Sequence, residues 1–250
     1  MAVKKNKIIK KNALGTKATG IGFSFPSVET VELIGMLNKY DYVYLDGEHG
    51  NFTVDSISAM CRTAEIYDLT VMARVSEISA KEVNMYLNQG VLGFIFPNIK
   101  TADEARNAVN LCKYPPQGKR GWSSFSKNNM FNDESFFLEL NESGSNLFEA
   151  RKQYIKNEND EILIILQLES EDAISNISEI VEIEGIYAYM GGYGDLTVSS
   201  DLSQIELDQV VNKMEEYIHK SGKKLISDLM RYKMLSSFIL EGARSFLNVS

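Results

Sequence analysis

The stretch "ILIILQLE" (residues 162–169) decides the fold class of this chain. It is apolar along most of its length and carries polar side chains only near its end. A strand with one solvent-facing side would alternate between apolar and polar residues, whereas a continuous apolar run is typical of a parallel strand covered on both faces. We therefore expect a parallel sheet with helices packed outside it.

Further runs of the same kind indicate eight strands in total. The other seven cover residues 19–25, 41–46, 69–75, 92–97, 185–191, 223–228 and 244–250. Helix-period segments separate them, and Ser27 and the capping box Thr101–Glu104 predict the starts of two helices. Strand then helix, repeated within 250 residues, predicts an α/β fold of the (β/α)8 TIM-barrel type.

The domain organisation is predicted from the same pattern. Residues 1–13 include the basic stretch "KKNKIIKKN" and are expected to form a flexible tail, with an arm for an anionic ligand as the alternative. Residues 14–250 are expected to form a single barrel domain with a long loop insertion at about 113–160. Because the eighth predicted strand ends the sequence, the barrel is expected to lack its final helix.

Composition excludes several classes of partner. A formal net charge of −8 argues against nucleic acid. No apolar run is long enough for a transmembrane helix, and the N-terminus has no secretory signal core. Cys61 and Cys112 lie in helix-like segments and are expected to be small core residues. These features predict a cytoplasmic location.

Polar side chains stand where the predicted strands end. In a parallel barrel these ends meet at one mouth, where active sites form. The side chains are Asp46, Glu48, His49, Arg74, Asn98, Gln167, Glu169 and Asp195. Each one alone is explained by a helix cap, a structural ion pair or a satisfied core histidine. Together they would be costly to bury without mutual pairing or a shared task, which predicts a functional site.

The two carboxylates Glu169 and Asp195 indicate a hard divalent cation. Carboxylate oxygens, completed by water and substrate oxygens, suit Mg²⁺ or Mn²⁺. Zinc would require more nitrogen or sulfur ligands than this mouth offers. The sequence contains no P-loop, dinucleotide-binding glycine fingerprint or nucleophile elbow.

The order of several motifs resembles the HpcH/HpaI aldolase family, the metal-dependent class II pyruvate aldolases of the phosphoenolpyruvate/pyruvate barrel group. The motifs are "DYVYLDGEHGNF" (41–52), "ARV" (73–75), "FIFPNIKTADEARNAV" (94–109), "YPPQGKRG" (114–121), "LQLES" (166–170) and "GDLT" (194–197). The resemblance runs from about residue 14 to the C-terminus. It implies a (β/α)8 barrel, often hexameric, whose last helix is exchanged between subunits.

The resemblance also implies roles for individual residues. Glu169 and Asp195 match the metal ligands, and His49 matches the general base, with Asp46 as its partner. Arg74 matches the arginine that contacts the pyruvate oxygen, Gln167 matches a substrate-binding glutamine, and the backbone around Gly194 matches the segment that holds the pyruvate carboxylate. The implied substrates are 4-hydroxy-2-oxo acids, which are cleaved to pyruvate and an aldehyde.

The sequence departs from the family pattern on the side expected to bind the aldehyde. Tyr193 stands where proline is usual, and Gly22 stands where many members carry tryptophan. We expect Gly22 to open space at the mouth, and Tyr193, Trp122 and Phe125 to bring aromatic surface towards it. The alternative is that Trp122 and Phe125 only pack the long loop. Ser124, in the same segment, is a further candidate for substrate binding.

Two other functions remain open from the sequence. The same barrel group contains CoA-ester lyases and enolpyruvate-using synthases, although an acidic chain without a basic nucleotide patch argues against a CoA user. A non-catalytic binding barrel is the third possibility, and the presence of His49, Arg74, Glu169 and Asp195 together argues against it. An exposed apolar stripe beside the missing helix predicts a homo-oligomer.

Overall fold

The computed structural model describes residues 4–139 and 146–247. Its centre is a seven-stranded parallel sheet in the order β6-β5-β4-β3-β2-β1-β7. The strands are β1 (Ala18–Phe23), β2 (Tyr42–Asp46), β3 (Thr70–Arg74), β4 (Gly93–Phe96), β5 (Leu163–Leu168), β6 (Ala188–Gly191) and β7 (Met230–Met234). The predicted class, a parallel α/β barrel, is confirmed.

Helices follow most of the strands and cover the outside of the sheet. They are α1 (Lys7–Ala13), α2 (Val28–Leu37), α3 (Val54–Ile66), α4 (Ala80–Gln89), α5 (Ala102–Cys112), α6 (Glu134–Glu139), α7 (Leu147–Glu161), α8 (Glu171–Ser175), α9 (Ile177–Ile180), α10 (Tyr193–Ser199), α11 (Gln204–Lys220), α12 (Ile226–Leu229) and α13 (Leu235–Leu247). A 3₁₀ helix spans Lys127–Asn132. Within the described ranges, no helix has the length and apolar character needed to cross a bilayer.

The first six strands lie where the apolar runs predict them, and β5 shows why. Ile164 and Leu166 belong to the cluster between the sheet and the helices. Leu163 and Ile165 belong to a second cluster, inside the curled sheet. Because successive side chains of a strand point to opposite faces, a strand with a core on each face must be apolar throughout.

The two edges of the sheet are joined by the segment that follows α11. Tyr189 of β6 forms a parallel bridge with Leu225, and its N–H donates to the carbonyl of Lys224 at 2.9 Å. Helix α12 contacts both edge strands, β6 and β7. The strand predicted over 223–228 is therefore reduced to this one bridge, since the chain turns into α12 at Ile226.

The last strand differs from the prediction. Strand β7 pairs with β1 through residues 230–234, whereas residues 244–247 of the strand predicted over 244–250 are helical and residues 248–250 lie outside the described ranges. Met230, Tyr232 and Met234 point into the barrel. Arg231 is exposed between them, so the stretch alternates instead of being continuously apolar. Helix α13 follows, and the expectation of a missing final helix was wrong.

The N-terminal segment also differs from the predicted flexible tail. Helix α1 is capped by the Asn6 side chain, whose Nδ2 donates to the carbonyls of Leu92 and Glu161 at 3.1 and 3.0 Å. Ile8 is fully buried in the barrel interior. Since Leu92 and Glu161 precede β4 and β5, α1 covers the N-terminal end of the strands and fixes residues 6–13 there.

The described part of the insertion at 113–160 contains the 3₁₀ helix, α6 and most of α7, and lies near the same end of the barrel. Its aromatic cluster contains Phe136, Phe137 and Tyr154. Arg120 donates to Glu158 at 2.8 Å, and both side chains are almost fully buried. The insertion therefore has a packed core of its own, and a buried ion pair joins its first part to α7.

Candidate active site

An arginine–carboxylate pair stands at the C-terminal ends of β2 and β3. Asp46 and Arg74 are register partners, so they lie side by side where the two strands end. Arg74 Nε donates to Asp46 Oδ1 at 2.9 Å, and Arg74 Nη2 donates to Oδ2 at 2.8 Å. This bidentate geometry fixes the plane of the guanidinium group.

Glu48 and Gln167 surround the remaining nitrogen of Arg74. Arg74 Nη1 forms an ion pair with Glu48 Oε2 at 2.9 Å, although the angle is not that of a hydrogen bond. The same nitrogen donates a hydrogen bond to Gln167 Oε1 at 3.4 Å. Burial by itself lowers the pKa of Arg74, but the hydrogen bonds of Asp46 and the charges of Asp46 and Glu48 raise it above its ordinary value. The guanidinium is therefore a fixed positive charge at the mouth.

His49 is placed differently from the expectation of an Asp46–His49 dyad. Its side chain is 70% exposed, and its Nε2 lies 3.9 Å from Glu48 Oε2. Both oxygens of Asp46 already bind Arg74. The only hydrogen bond that Asp46 accepts from His49 comes from its backbone N–H, at 3.4 Å, and not from its ring. The ring therefore stands free at the mouth, and Glu48 is the carboxylate beside it.

Glu169 lies at the centre of a second group, at the ends of β4, β5 and β6. The backbone N–H of Asn98 donates to Glu169 Oε1 at 2.6 Å, and Gln167 Nε2 donates to Oε2. Because Gln167 also accepts from Arg74, it links the two groups into one network. Gly192 lies beside this network, where a Cβ would stand 2.6 Å from Glu169 Oε2 and collide with it.

Asp195, the third residue of α10, lies close enough to Glu169 for its carboxyl group to act on the pKa of Glu169. Burial, and then the neighbouring Asp195 carboxylate, raise the pKa of Glu169 to about 7, against the lowering effect of the Asn98 hydrogen bond. Two carboxylates held together repel each other unless a proton or a cation lies between them. This donor pair fits a hard divalent cation, with water and substrate oxygens as its remaining ligands.

The described residues contain no group of three or more His, Cys, Asp or Glu side chains arranged for a metal. Glu169 and Asp195 are only two such side chains, so their role as metal ligands stays a prediction. Gly194 lies beside them in the first turn of α10, with no atom within 4 Å of its missing Cβ. The structure thus brings Asp46, Arg74, Gln167, Glu169, Gly194 and Asp195 to one end of the barrel.

Ser124 is not brought to this site. It lies at another cavity, together with Trp122, Phe148 and Arg151. Trp122 packs on Tyr114, Phe137 and Tyr154 inside the insertion. Trp122 therefore packs the long loop, as the alternative interpretation predicts.

Tyr193 and Gly22 also differ from the open aromatic pocket that the sequence predicts. The Tyr193 hydroxyl donates to Asp208 Oδ1 of α11 at 2.9 Å, so its polar end faces that helix. At Gly22 a Cβ would stand 2.3 Å from Met234 Sδ and 3.1 Å from Tyr44. The space at Gly22 is filled by β7, and the prediction of an opening there was wrong.

Two contributions to the site were missed from the sequence. Glu48 was noted only as a polar strand-end residue, yet it is the carboxylate nearest to His49 and a partner of Arg74. Asn98 acts through its backbone N–H on Glu169. Asn98 has a positive φ of 51°, a backbone conformation that asparagine adopts more readily than most residues. In the sequence, an asparagine directly after Pro97 was the feature that could have indicated such a turn.

The chain is similar to known proteins over most of its length. The profile of the HpcH/HpaI aldolase/citrate lyase family matches residues 28–231. A hydroxypyruvate/pyruvate aldolase from Sagittula stellata is 28% identical over 199 residues, covering 80% of this chain and 72% of that protein. A 2-keto-3-deoxy-L-rhamnonate aldolase from Escherichia coli is 25% identical, covering 76% of this chain and 67% of that protein.

The fold is shared with solved structures. The crystal structure of an HpcH/HpaI aldolase from Desulfitobacterium hafniense superimposes with a TM-score of 0.76, at 20% identity, and covers 97% of both chains. The chain belongs to the HpcH/HpaI aldolase/citrate lyase family. This membership confirms the predicted class of enzyme, a carbon–carbon lyase.

Proposed function

We propose that this chain is a divalent-metal-dependent pyruvate aldolase that cleaves or forms a 4-hydroxy-2-oxo acid. The observation that carries the proposal is the linked network at the barrel mouth, in which Gln167 joins the Arg74 guanidinium to the Glu169 carboxylate. A fixed cation and an acidic pair suited to a metal thus flank the same space. This is the arrangement required to stabilise negative charge on a 2-oxo acid.

In cleavage, His49 accepts the proton of the 4-hydroxyl group as the carbon–carbon bond breaks, which releases the aldehyde and leaves the bonding electron pair on the pyruvate fragment. Its exposed ring is free to reach a substrate at the mouth. Glu48, 3.9 Å away, is the carboxylate beside the ring. The proton then returns to the pyruvate methyl carbon, so that atoms and charge balance.

Arg74 lies beside the oxygen on which negative charge develops. Asp46 holds the guanidinium in place, so it need not reorganise during the reaction, and a group of this kind contributes about 3–4 kcal/mol. A divalent cation held by Glu169 and Asp195 would supply Lewis acidity at the 2-oxo group. The backbone at Gly194 is proposed to hold the substrate carboxylate, and Gln167 to orient the oxo group.

The names of the relatives support this assignment. A hydroxypyruvate/pyruvate aldolase and a 2-keto-3-deoxy-L-rhamnonate aldolase both imply a 2-oxo acid partner. The test is a panel of aldehydes incubated with pyruvate and Mg²⁺ or Mn²⁺, with products identified by mass. We expect a pyruvate–aldehyde adduct that depends on metal. Absence of any adduct from pyruvate, together with activity on a CoA ester, would favour the alternative lyase.

A further inference from the structure

A second cavity lies at the N-terminal end of the strands, away from the candidate active site. Its volume is about 270 Å³, close to the lower end of the roughly 300–1,000 Å³ of small-molecule sites. Leu92, which immediately precedes β4, places it at that end. Met130, Phe136 and Tyr154 of the insertion supply the rest of its apolar wall. The insertion therefore forms this cavity together with the barrel.

Glu158 brings an unmatched acceptor to the cavity. Its side chain is 3% exposed, and its Oε1 accepts from Arg120 Nη1 at 2.8 Å. Its Oε2 is buried and accepts no hydrogen bond from the described residues. A buried carboxylate oxygen without a donor is costly, so a ligand that offers a donor here would bind favourably.

Lys4 brings an unmatched cation to the same cavity. In the described part of the chain it forms neither a hydrogen bond nor a salt bridge, and burial lowers its pKa although Glu65 attracts it at longer range. Lys127, the other lysine in the wall, is already paired with Glu65. Counting only the described residues, the cavity thus offers one acceptor and one cation that have no direct partner.

We propose that this cavity binds an α-amino acid with an apolar side chain. The ammonium group donates to Glu158 Oε2, the carboxylate lies beside Lys4, and the side chain packs against Met130 and Phe136. This assignment does not depend on the reaction at the barrel mouth.

Charge complementarity favours this class over simpler ligands. A plain amine leaves Lys4 without an anion, and a plain carboxylic acid leaves Glu158 Oε2 without a donor. A phosphate ester would meet the negative charges of Glu158 and Glu65 together. Of these ligands, only a zwitterion with an apolar side chain matches the charges of Glu158 and Lys4 and also the apolar wall of the cavity.

The first test is calorimetric titration of the full chain with leucine, methionine and phenylalanine. The controls are 3-methylbutylamine and 4-methylpentanoate, which are leucine without its carboxylate and without its ammonium group. We expect at least one amino acid to bind with a Kd below about 1 mM, tenfold more tightly than either control. If none of the amino acids binds, the proposal is overturned.

Variants then assign the contacts. Lys4→Met should weaken leucine binding about tenfold, a change of about 1.4 kcal/mol, and leave 3-methylbutylamine binding unchanged. Lys10→Met, at an exposed lysine of α1, is the matched control and should bind leucine normally. Glu158→Gln should abolish binding of both the amino acid and the amine.

Glu158→Gln also removes the charged partner of Arg120, so a loss of binding in this variant has two explanations. A second variant therefore fills the cavity and leaves the ion pair in place. Met130→Trp, at a half-buried wall position, should abolish leucine binding without touching the ion pair. Leucine binding that is unchanged in both Lys4→Met and Met130→Trp would place the ligand elsewhere and overturn the proposal.

Discussion

Both carboxylate oxygens of Asp46 are hydrogen-bonded to the guanidinium group of Arg74, at 2.9 and 2.8 Å. The pair is a direct consequence of strand register, because Asp46 and Arg74 are neighbours at the ends of β2 and β3. It assigns Asp46 to the arginine instead of to His49. In this arrangement, the strand ends hold the guanidinium group rigidly, and His49, the proposed proton acceptor, stands on the turn that follows.

Arg74→Lys should lower kcat/KM for aldol cleavage by at least a hundredfold. Lysine keeps the charge but cannot bind both oxygens of Asp46 while reaching Gln167, so the cation loses its fixed position. The measurement is steady-state cleavage of a 4-hydroxy-2-oxo acid, with thermal unfolding as the control for folding. A value within tenfold of wild type in a folded protein would remove Arg74 from the reaction.

The raised pKa of Glu169 predicts a pH-dependent stability in the presence of a chelator. The unfolded carboxyl ionises near its ordinary value of 4.5, and the folded one ionises near 7. Between these values the folded state binds more protons, so stability is greatest below pH 4.5 for this group and falls as pH rises to 7. The loss is on the order of 1–3 kcal/mol.

The measurement is thermal unfolding from pH 5 to 7.5 in chelator, for wild type and Glu169→Gln. We expect the wild type to lose more thermal stability than the variant over this pH range. Mn²⁺ added in excess of the chelator should restore the stability of the wild type and not that of the variant. Identical pH profiles in the two proteins would show that Glu169 is not held against Asp195.

Gly22→Ala tests the placement of β7. The new methyl carbon would stand 2.3 Å from Met234 Sδ, so the variant should lose about 1–3 kcal/mol of unfolding free energy. Gly121→Ala, with nothing within 4 Å, is the control and should change little. Equal stability of the two variants in chemical denaturation would mean that Met234 does not lie beside Gly22.

Helix α13 carries the prediction of an oligomer, which stays a prediction. Phe238, Ile239, Leu240 and Phe246 are 39, 54, 57 and 86% exposed, an unusual amount of apolar surface for one helix. Sedimentation at micromolar concentration should show a dimer or larger species that Ile239→Lys dissociates. Leu33→Lys, at a similarly exposed position of α2, is the control. A monomeric wild type would contradict this expectation.

The sequence predicts the fold best where a strand has a core on each face. Six such runs became strands, while β7 was missed because its exposed Arg231 interrupts the apolar residues. The end of the chain was misassigned because "RSFLNVS" combines apolar and β-branched residues that suit either a strand or a helix.

The convergence of site residues was predictable, but their partners were not. Parallel strands must end together, which brings Arg74, Gln167 and Glu169 to one mouth. Which carboxylate pairs with which cation depends on register and on the turn after β2, and neither is visible in composition. The position of Ser124 depends on how the insertion packs, which no local pattern specifies.

The central claim is that the chain stabilises negative charge on pyruvate with Arg74 and a metal held by Glu169. Exchange of the pyruvate methyl protons in heavy water, followed by NMR, tests it without knowledge of the aldehyde. We predict exchange that requires Mg²⁺ or Mn²⁺ and falls at least a hundredfold in Glu169→Gln and in Arg74→Ala, about 2.7 kcal/mol each. Exchange at the wild-type rate in strong chelator, or in folded Glu169→Gln, would contradict the account.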